Sequence, residues 1–237
     1  MSSEPIPVVL IHGGGFDGRC WDRLVGHLDS ASLAVDLPGR GEHPAEIRTV
    51  SLALCAEAVA DDVDAAGFDE VVLVGHSLAG CSMPGIVRRL QGRIRHAVFV
   101  ACTVPEDGRS ALDTLDPDIQ ALIAESNPDA EPAVMDGEIA RLVLGDDLDD
   151  EQLAWCVERL VPESMQLTLD PVSLVGLGDV PTTWVRTMGD LIVPPDKQAR
   201  FAVNVAATQV IDLDSGHMCM VTRPAELAGI INAIARG

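Results

Sequence analysis

In Val71-Val-Leu-Val-Gly-His-Ser-Leu-Ala-Gly80 a valine-rich run of strand character breaks at a glycine and gives way to a helical pattern, with a serine at the apex. A strand that turns abruptly into a helix forces its apical residue through a strained backbone conformation, and a bulky neighbour there would collide with the strand or the helix. Gly75 and Ala79 fill the two sensitive places of a G-x-S-x-G pattern, and Gly80 follows directly. Alanine in the last place loosens the match by one methyl group. An exposed nucleophile suits such a site, and so does a serine capping a helix N-terminus. The positive end of that helix would in either case favour a nearby oxyanion.

On both sides of this stretch, short apolar β-branched runs alternate with helical patterns, the signature of βαβ units around a parallel sheet. The spacing predicts strands at residues 7–11, 32–37, 70–74, 94–101, 182–187 and 209–213. Their nearly unbroken hydrophobicity predicts cover on both faces. Helices are expected at 19–28, 52–66, 78–90, 195–206 and 225–235. The rhythm breaks between Thr103 and Gly178, an acidic helical stretch with turns at Pro105, Pro117, Pro128, Pro132, Pro162 and Pro171. It holds the charge run Asp146, Asp147, Asp149, Asp150 and Glu151, yet residues 119–124, 139–144 and 153–160 keep apolar side chains at helical spacing. The expected organisation is a core of residues 1–102 and 179–237 with a helical cap, 103–178, inserted in the same domain.

Gly75-His-Ser-Leu-Ala-Gly80 behind its valine-rich strand resembles the nucleophile elbow of the α/β-hydrolase superfamily. The resemblance covers essentially the whole chain and is nearest to the small methylesterase and hydroxynitrile lyase branch, to which Glu158-Arg-Leu-Val-Pro-Glu-Ser164 is also similar. It implies an α/β-hydrolase fold: an α/β architecture of about six mainly parallel strands, helices on both faces and a compact cap. It also implies Ser77 as nucleophile. Acyl transfer needs two fixed donors about 3 Å from the developing oxyanion. The backbone N–H of Leu78 is one candidate, and the resemblance to the family's His-Gly loop, here His12-Gly-Gly-Gly15, implies Gly14 for the other.

His217 lies in Asp214-Ser-Gly-His-Met, between the last strand and the last helix, where the family carries its catalytic base. Loops at the carboxyl ends of parallel strands share one crevice, which puts this loop on the rim that carries Ser77. Asp190 follows a strand and a Met188-Gly189 turn, similar to the segment that supplies the family's acid, in the chain order Ser, Asp, His. Asp212 and Asp214 suit surface or capping roles, and Glu106 and Asp107 are alternative acids at the exit of the fourth strand. His12 reads as a structural histidine of its loop, while His27, His43 and His96 read as non-catalytic. Gly15, His76, Trp155 and Met218 are candidate substrate contacts, although Trp155, Leu153 and Met165 also fit the interior of a cap. Cys81, one turn beyond Ser77, either faces the pocket or packs beneath it.

Lyases of that branch carry a lysine directly after the catalytic histidine and a threonine in the oxyanion loop, whereas this chain has Met218 and Gly13. The resemblance therefore implies a serine hydrolase that cleaves a small-molecule carboxylic ester or lactone through an acyl-enzyme. A carbon–carbon lyase of the hydroxynitrile type and a non-catalytic ligand-binding relative are the alternatives.

Composition narrows the partners. Lys and Arg number 16 against 37 Asp and Glu, a formal charge of −21, which repels phosphate backbones and anionic membranes and excludes both as expected partners. Neither GxGxxG nor GxxxxGK is present, so the glycines of the first loop do not read as a phosphate cradle. The six cysteines lack CxxC or Cys/His ligand spacing and read as buried free thiols of a reducing compartment. No metal or cofactor is expected. No basic stretch followed by an apolar block opens the chain, which predicts a cytoplasmic protein. A homodimer is compatible with all of this.

Overall fold

The computed structural model describes residues 4–125, 132, 134–145 and 147–237. The turn expected at Pro128, the charge at Asp146 and the first three residues of the N-terminal stretch lie outside the described residues.

Six parallel strands form one sheet in the order β2-β1-β3-β4-β5-β6. They are β1 (Val8–Ile11), β2 (Ser32–Val35), β3 (Val71–His76), β4 (Ile94–Val100), β5 (Thr182–Thr187) and β6 (Gln209–Leu213). The central strand, β3, runs two residues beyond the predicted end. Its register against β4 continues through Gly75↔Phe99 to His76↔Val100, so the ladder carries the chain up to the serine.

Successive strand residues face opposite sides, and the hydrophobic runs feed two cores. Val9, Ile11, Val71 and Leu73 pack with α2 (Leu52–Ala65), α3 (Ala79–Arg89) and Phe201 of α8 (Pro195–Asn204). Val8, Leu10, Val72 and Val74 pack on the other side with Leu24 of α1 (Asp22–Val25), Val221 of α9 (Cys219–Thr222) and Leu227 and Ile231 of α10 (Pro224–Arg236). The helix expected over 19–28 is instead a 3₁₀ turn, Gly18–Trp21, followed by the short α1. Asp17 accepts the Arg19 N–H and the Gly18 N–H donates to Asp36, so backbone groups that would start an α-helix are held by side chains.

Between β4 and β5 lie α4 (Pro117–Glu125), α5 (Gly137–Leu144), α6 (Asp150–Val157) and α7 (Gln166–Leu169). Asp149 and Gln152 form a capping box at the start of α6. Ala140, Leu144, Leu153 and Cys156 enter the second core, and Leu167 and Leu177 enter the first. No helix of the described residues is long and apolar enough to cross a membrane.

The crowding at the β3–α3 turn is specific. A Cβ on Gly75 would lie 2.2 Å from Met83 Sδ, and one on Gly80 would lie 2.6 Å from the Thr103 carbonyl and 2.8 Å from Cys102 Cβ. Gly80, outside the G-x-S-x-G pattern, is therefore as constrained as Gly75, while position 79 holds its buried methyl comfortably. Gly80→Ala is expected to lower stability by about 1–3 kcal/mol in urea unfolding, the usual penalty of overpacking. Gly26→Ala, with helical dihedrals and nothing within 4 Å of its new methyl, is the control and should unfold at or slightly above the wild-type midpoint.

Candidate active site

Ser77 directly follows β3 and has φ 53°, the left-handed region that L-residues avoid. Three backbone hydrogen bonds hold it there. Its N–H donates to the Val100 carbonyl at 3.1 Å, and its carbonyl accepts from the N–H of Thr103 at 3.0 Å and of Gly80 at 3.1 Å. Ala101, at the exit of β4, is also left-handed, with φ 48°. The glycine loop closes in from β1: a Cβ on Gly13 would lie 2.9 Å from that of Ser77, and one on Gly14 would lie 3.1 Å from Leu78 Cδ2. The N–H groups of Gly14 and Leu78 find no hydrogen-bond partner among the described residues.

His217 reaches this rim from the loop after β6. Its Nε2 is 3.0 Å from Ser77 Oγ and its Nδ1 is 2.8 Å from Asp190 Oδ2. Asp190 and the His217 loop are tied through main chain as well, since the Gly189 N–H donates to the Ser215 carbonyl and the Met188 N–H to that of Leu213. Asp190 accepts further bonds from the Thr187 hydroxyl at 2.8 Å and from the N–H groups of Ile192 and Val193 at 2.9 Å each. Burial alone would raise its carboxyl. The hydrogen bond and charge of His217, with the Val193 N–H and the Thr187 hydroxyl, outweigh that and hold it below the usual carboxylate range. A carboxylate there fixes the proton on Nδ1 and leaves Nε2 as the acceptor facing the serine hydroxyl.

Two residues that the sequence did not single out complete this corner. Thr187 stands three before Asp190, and Gln198 of α8 donates from Nε2 to the Thr187 hydroxyl at 2.9 Å and to the Val193 carbonyl at 2.7 Å. Gln198 is fully buried, so a polar residue in the inward stripe of α8 was the available signal.

The other histidines have different surroundings. His12 donates from Nδ1 to the Gly13 carbonyl at 2.8 Å and accepts the Leu37 N–H on Nε2 at 3.1 Å, pinning the glycine loop to the chain beyond β2. His76 donates from Nε2 to the His217 carbonyl at 2.9 Å, and the two rings lie 4.6 Å apart. His76 thus braces the His217 backbone, and its Nδ1 would be 3.0 Å from a Cβ on Gly13. Burial lowers the His12 pKa to about 4, with a contribution from the Arg40 charge, and burial with the neighbouring His217 lowers that of His76 to about 3.

Of the other candidate contacts, the Gly15 N–H is taken by Glu163 Oε2 at 2.9 Å. Met218 is fully buried in the second core beside His217. Trp155 lies under two guanidinium groups, Arg159 at 3.8 Å and Arg23 at 5.1 Å from its ring centre, while Leu153 is core and Met165 is half exposed. The crevice bordering Gly14 and Leu78 is walled by Leu37, Leu52, Ser82, Glu163 and Leu167 and has a volume of about 10 Å³, room for roughly one water. Cys81 packs below with Ala111 and Val172, its thiol pushed up to about 12 by burial. All six cysteines are free and buried.

Because His12 and His76 titrate below the unfolded value of 6.5, the unfolded chain binds more protons than the folded one as pH drops beneath it. The stability they contribute is complete above 6.5 and declines as pH falls toward 4 for His12 and toward 3 for His76. In an NMR titration from about pH 8 to about pH 5 both rings should stay neutral, His12 protonated on Nδ1 and His76 on Nε2. A midpoint near 6.5 for either would overturn this assignment.

A family model described as the alpha/beta hydrolase family matches residues 8–230. Putative methylesterase 14, chloroplastic, of Arabidopsis thaliana is 26% identical over 248 residues, covering 96% of this chain and 71% of that protein. Probable esterase PIR7A of Oryza sativa is 28% identical over 263 residues, covering 96% of this chain and 95% of its own. An extracellular alpha/beta-hydrolase from a Paenibacillus species superposes with a TM-score of 0.85 at 18% identity, covering 98% of this chain and all of that one, a likeness of fold. With sheet order, turn and family match in agreement over nearly its whole length, this chain belongs to the alpha/beta hydrolase family.

Proposed function

We propose that this protein is a serine hydrolase that cleaves a small-molecule carboxylic ester or lactone. The observation that carries the reading is the relay from Asp190 Oδ2 through His217 Nδ1 and Nε2 to Ser77 Oγ, with spacings of 2.8 and 3.0 Å. In this mechanism Ser77 Oγ attacks the substrate carbonyl while His217 takes the hydroxyl proton, and Asp190 stabilises the imidazolium that forms. The N–H groups of Gly14 and Leu78 hold the oxyanion. As the tetrahedral intermediate collapses, His217 passes its proton to the departing alkoxide. Water, activated by the same imidazole, then releases the acid and regenerates the serine hydroxyl.

The names of the relatives, an esterase and a methylesterase, support the ester reading. Against a hydroxynitrile lyase stands position 218, a fully buried thioether where that chemistry would use a cation. Residues 103–178 serve in this reading as the cap that shapes the pocket. The crevice at Gly14 and Leu78 is narrow, so in this reading an acyl or alcohol group enters only when the side chains of Leu52 and Leu167 yield.

Wild-type protein should hydrolyse a short p-nitrophenyl ester and be labelled at Ser77 by a fluorophosphonate. Ser77→Ala should abolish labelling and lower kcat by about 10³-fold or more with the unfolding midpoint retained, because nucleophile and base act as a unit. Turnover of a cyanohydrin in preference to every ester and lactone tested would favour the lyase instead, and a wild-type protein inert to the phosphonate would sink the reading.

A further inference from the structure

Two carboxylates from the segment between β4 and β5 reach the two loops that meet at Ser77. Glu163 Oε2 accepts the Gly15 N–H at 2.9 Å, and the Gly15 carbonyl in turn accepts the Val161 N–H at 2.9 Å. Both backbone groups of the residue after Gly14 are therefore held by residues 161–163, at a position whose φ of 73° leaves the chain free to flex without them. The other oxygen of Glu163 accepts the Ser164 N–H at 2.7 Å and pairs with the buried guanidinium of Arg40, which fixes the carboxylate. On the opposite side, Asp147 Oδ2 accepts the Gly216 N–H at 2.7 Å and the Ser215 hydroxyl at 3.2 Å, at the residues just before His217.

We propose that Glu163 and Asp147 are positioning residues: through them residues 103–178 set the placement of the Gly14 N–H and of the His217 imidazole, so that seating this segment assembles the site. The inference rests on the serine hydrolase reading above. Neither carboxylate touches the reacting atoms. Each acts on a glycine amide next to a group that does. A hydrogen bond from an amide to a carboxylate is stronger than a neutral one, and an error of even 1 Å in an oxyanion donor or base is costly to rate. The effect should appear in the chemical step and leave ground-state binding alone.

The test compares Asp147→Ala, Asp147→Asn, Glu163→Ala and Glu163→Gln with wild type, reading the rate constant for fluorophosphonate labelling, kcat and KM on a p-nitrophenyl ester, and the unfolding midpoint. Both alanine variants should label about tenfold more slowly, with kcat reduced alike and KM within about twofold. Asp147→Asn keeps an oxygen for both donors and should recover a rate within about threefold of wild type. Glu163→Gln turns an NH₂ toward either Gly15 or Arg40 and should be intermediate. If Glu163→Ala fails to fold because Arg40 loses its partner, Glu163→Gln decides that arm. If Asp147→Ala fails to fold, recovery in Asp147→Asn decides the other. Folded alanine variants, or Glu163→Gln in their place, that label at the wild-type rate would overturn the proposal, as would Asp147→Asn slowed as much as Asp147→Ala. Wild-type protein that takes no label at all would instead remove the serine hydrolase reading beneath it.

Discussion

Everything at the rim of the sheet follows from one left-handed residue. Ser77 can hold φ 53° only because β4 and the residues just beyond it supply an acceptor and a donor at the right height, the Val100 carbonyl and the Thr103 N–H. That conformation costs about 1–2 kcal/mol in an L-residue and persists because the surrounding hydrogen bonds over-determine it. It also draws four segments so close that side chains are excluded at Gly13, Gly75 and Gly80. The absence of side chains there and the exposure of the serine hydroxyl are two consequences of the same turn.

Three imidazoles sit at or beside this turn, and their partners separate their chemistry. His12 and His76 each donate to a peptide carbonyl, which can orient a neutral ring but offers little to an imidazolium in a buried place. His217 alone of the three faces a carboxylate, itself held ionised by five hydrogen-bond donors. A ring with an ionised partner can accept a proton and release it. The two neutral rings brace the loops on either side, one through Leu37 and the other through the His217 carbonyl.

Among the described residues, the apolar side chains of the segment between β4 and β5 pack mainly on the two faces of the sheet, Leu153 and Cys156 joining one and Leu167 and Leu177 the other, while Ala111 and Val172 pack with Cys81. Its acidic residues are likewise divided. Some cap helices, as Asp149 does, while Asp147 and Glu163 bond main-chain amides of the loops carrying His217 and Gly14. A stretch that reads as charged surface is thus stitched into the site by a small number of carboxylates.

Much of this was legible in the linear chain because the signals are local. Unbroken apolar runs at 71–74 and 97–100, rich in valine, announce buried parallel strands, and β5 and β6 begin and end where the pattern predicts. The serine between Gly75 and Ala79 marks the turn, and positions after β5 and β6 mark Asp190 and His217. Other features carry no local signal. Gly80 is confined by the Thr103 carbonyl, Gln198 is held by Thr187, and Glu163 meets Gly15 across 148 residues of chain. Trp155 reads as a candidate substrate contact whose helical spacing also suits a cap interior, and its ring lies against Arg159, one turn on, and Arg23, distant in sequence. Sequence determined the strands, the turn and the order of Ser77, Asp190 and His217 along the chain, because period, glycine and β-branching act within a few residues. Which amides are free, which imidazole meets a carboxylate and which acidic side chains turn inward were decided only by tertiary structure, because those partners are chosen by distance in space.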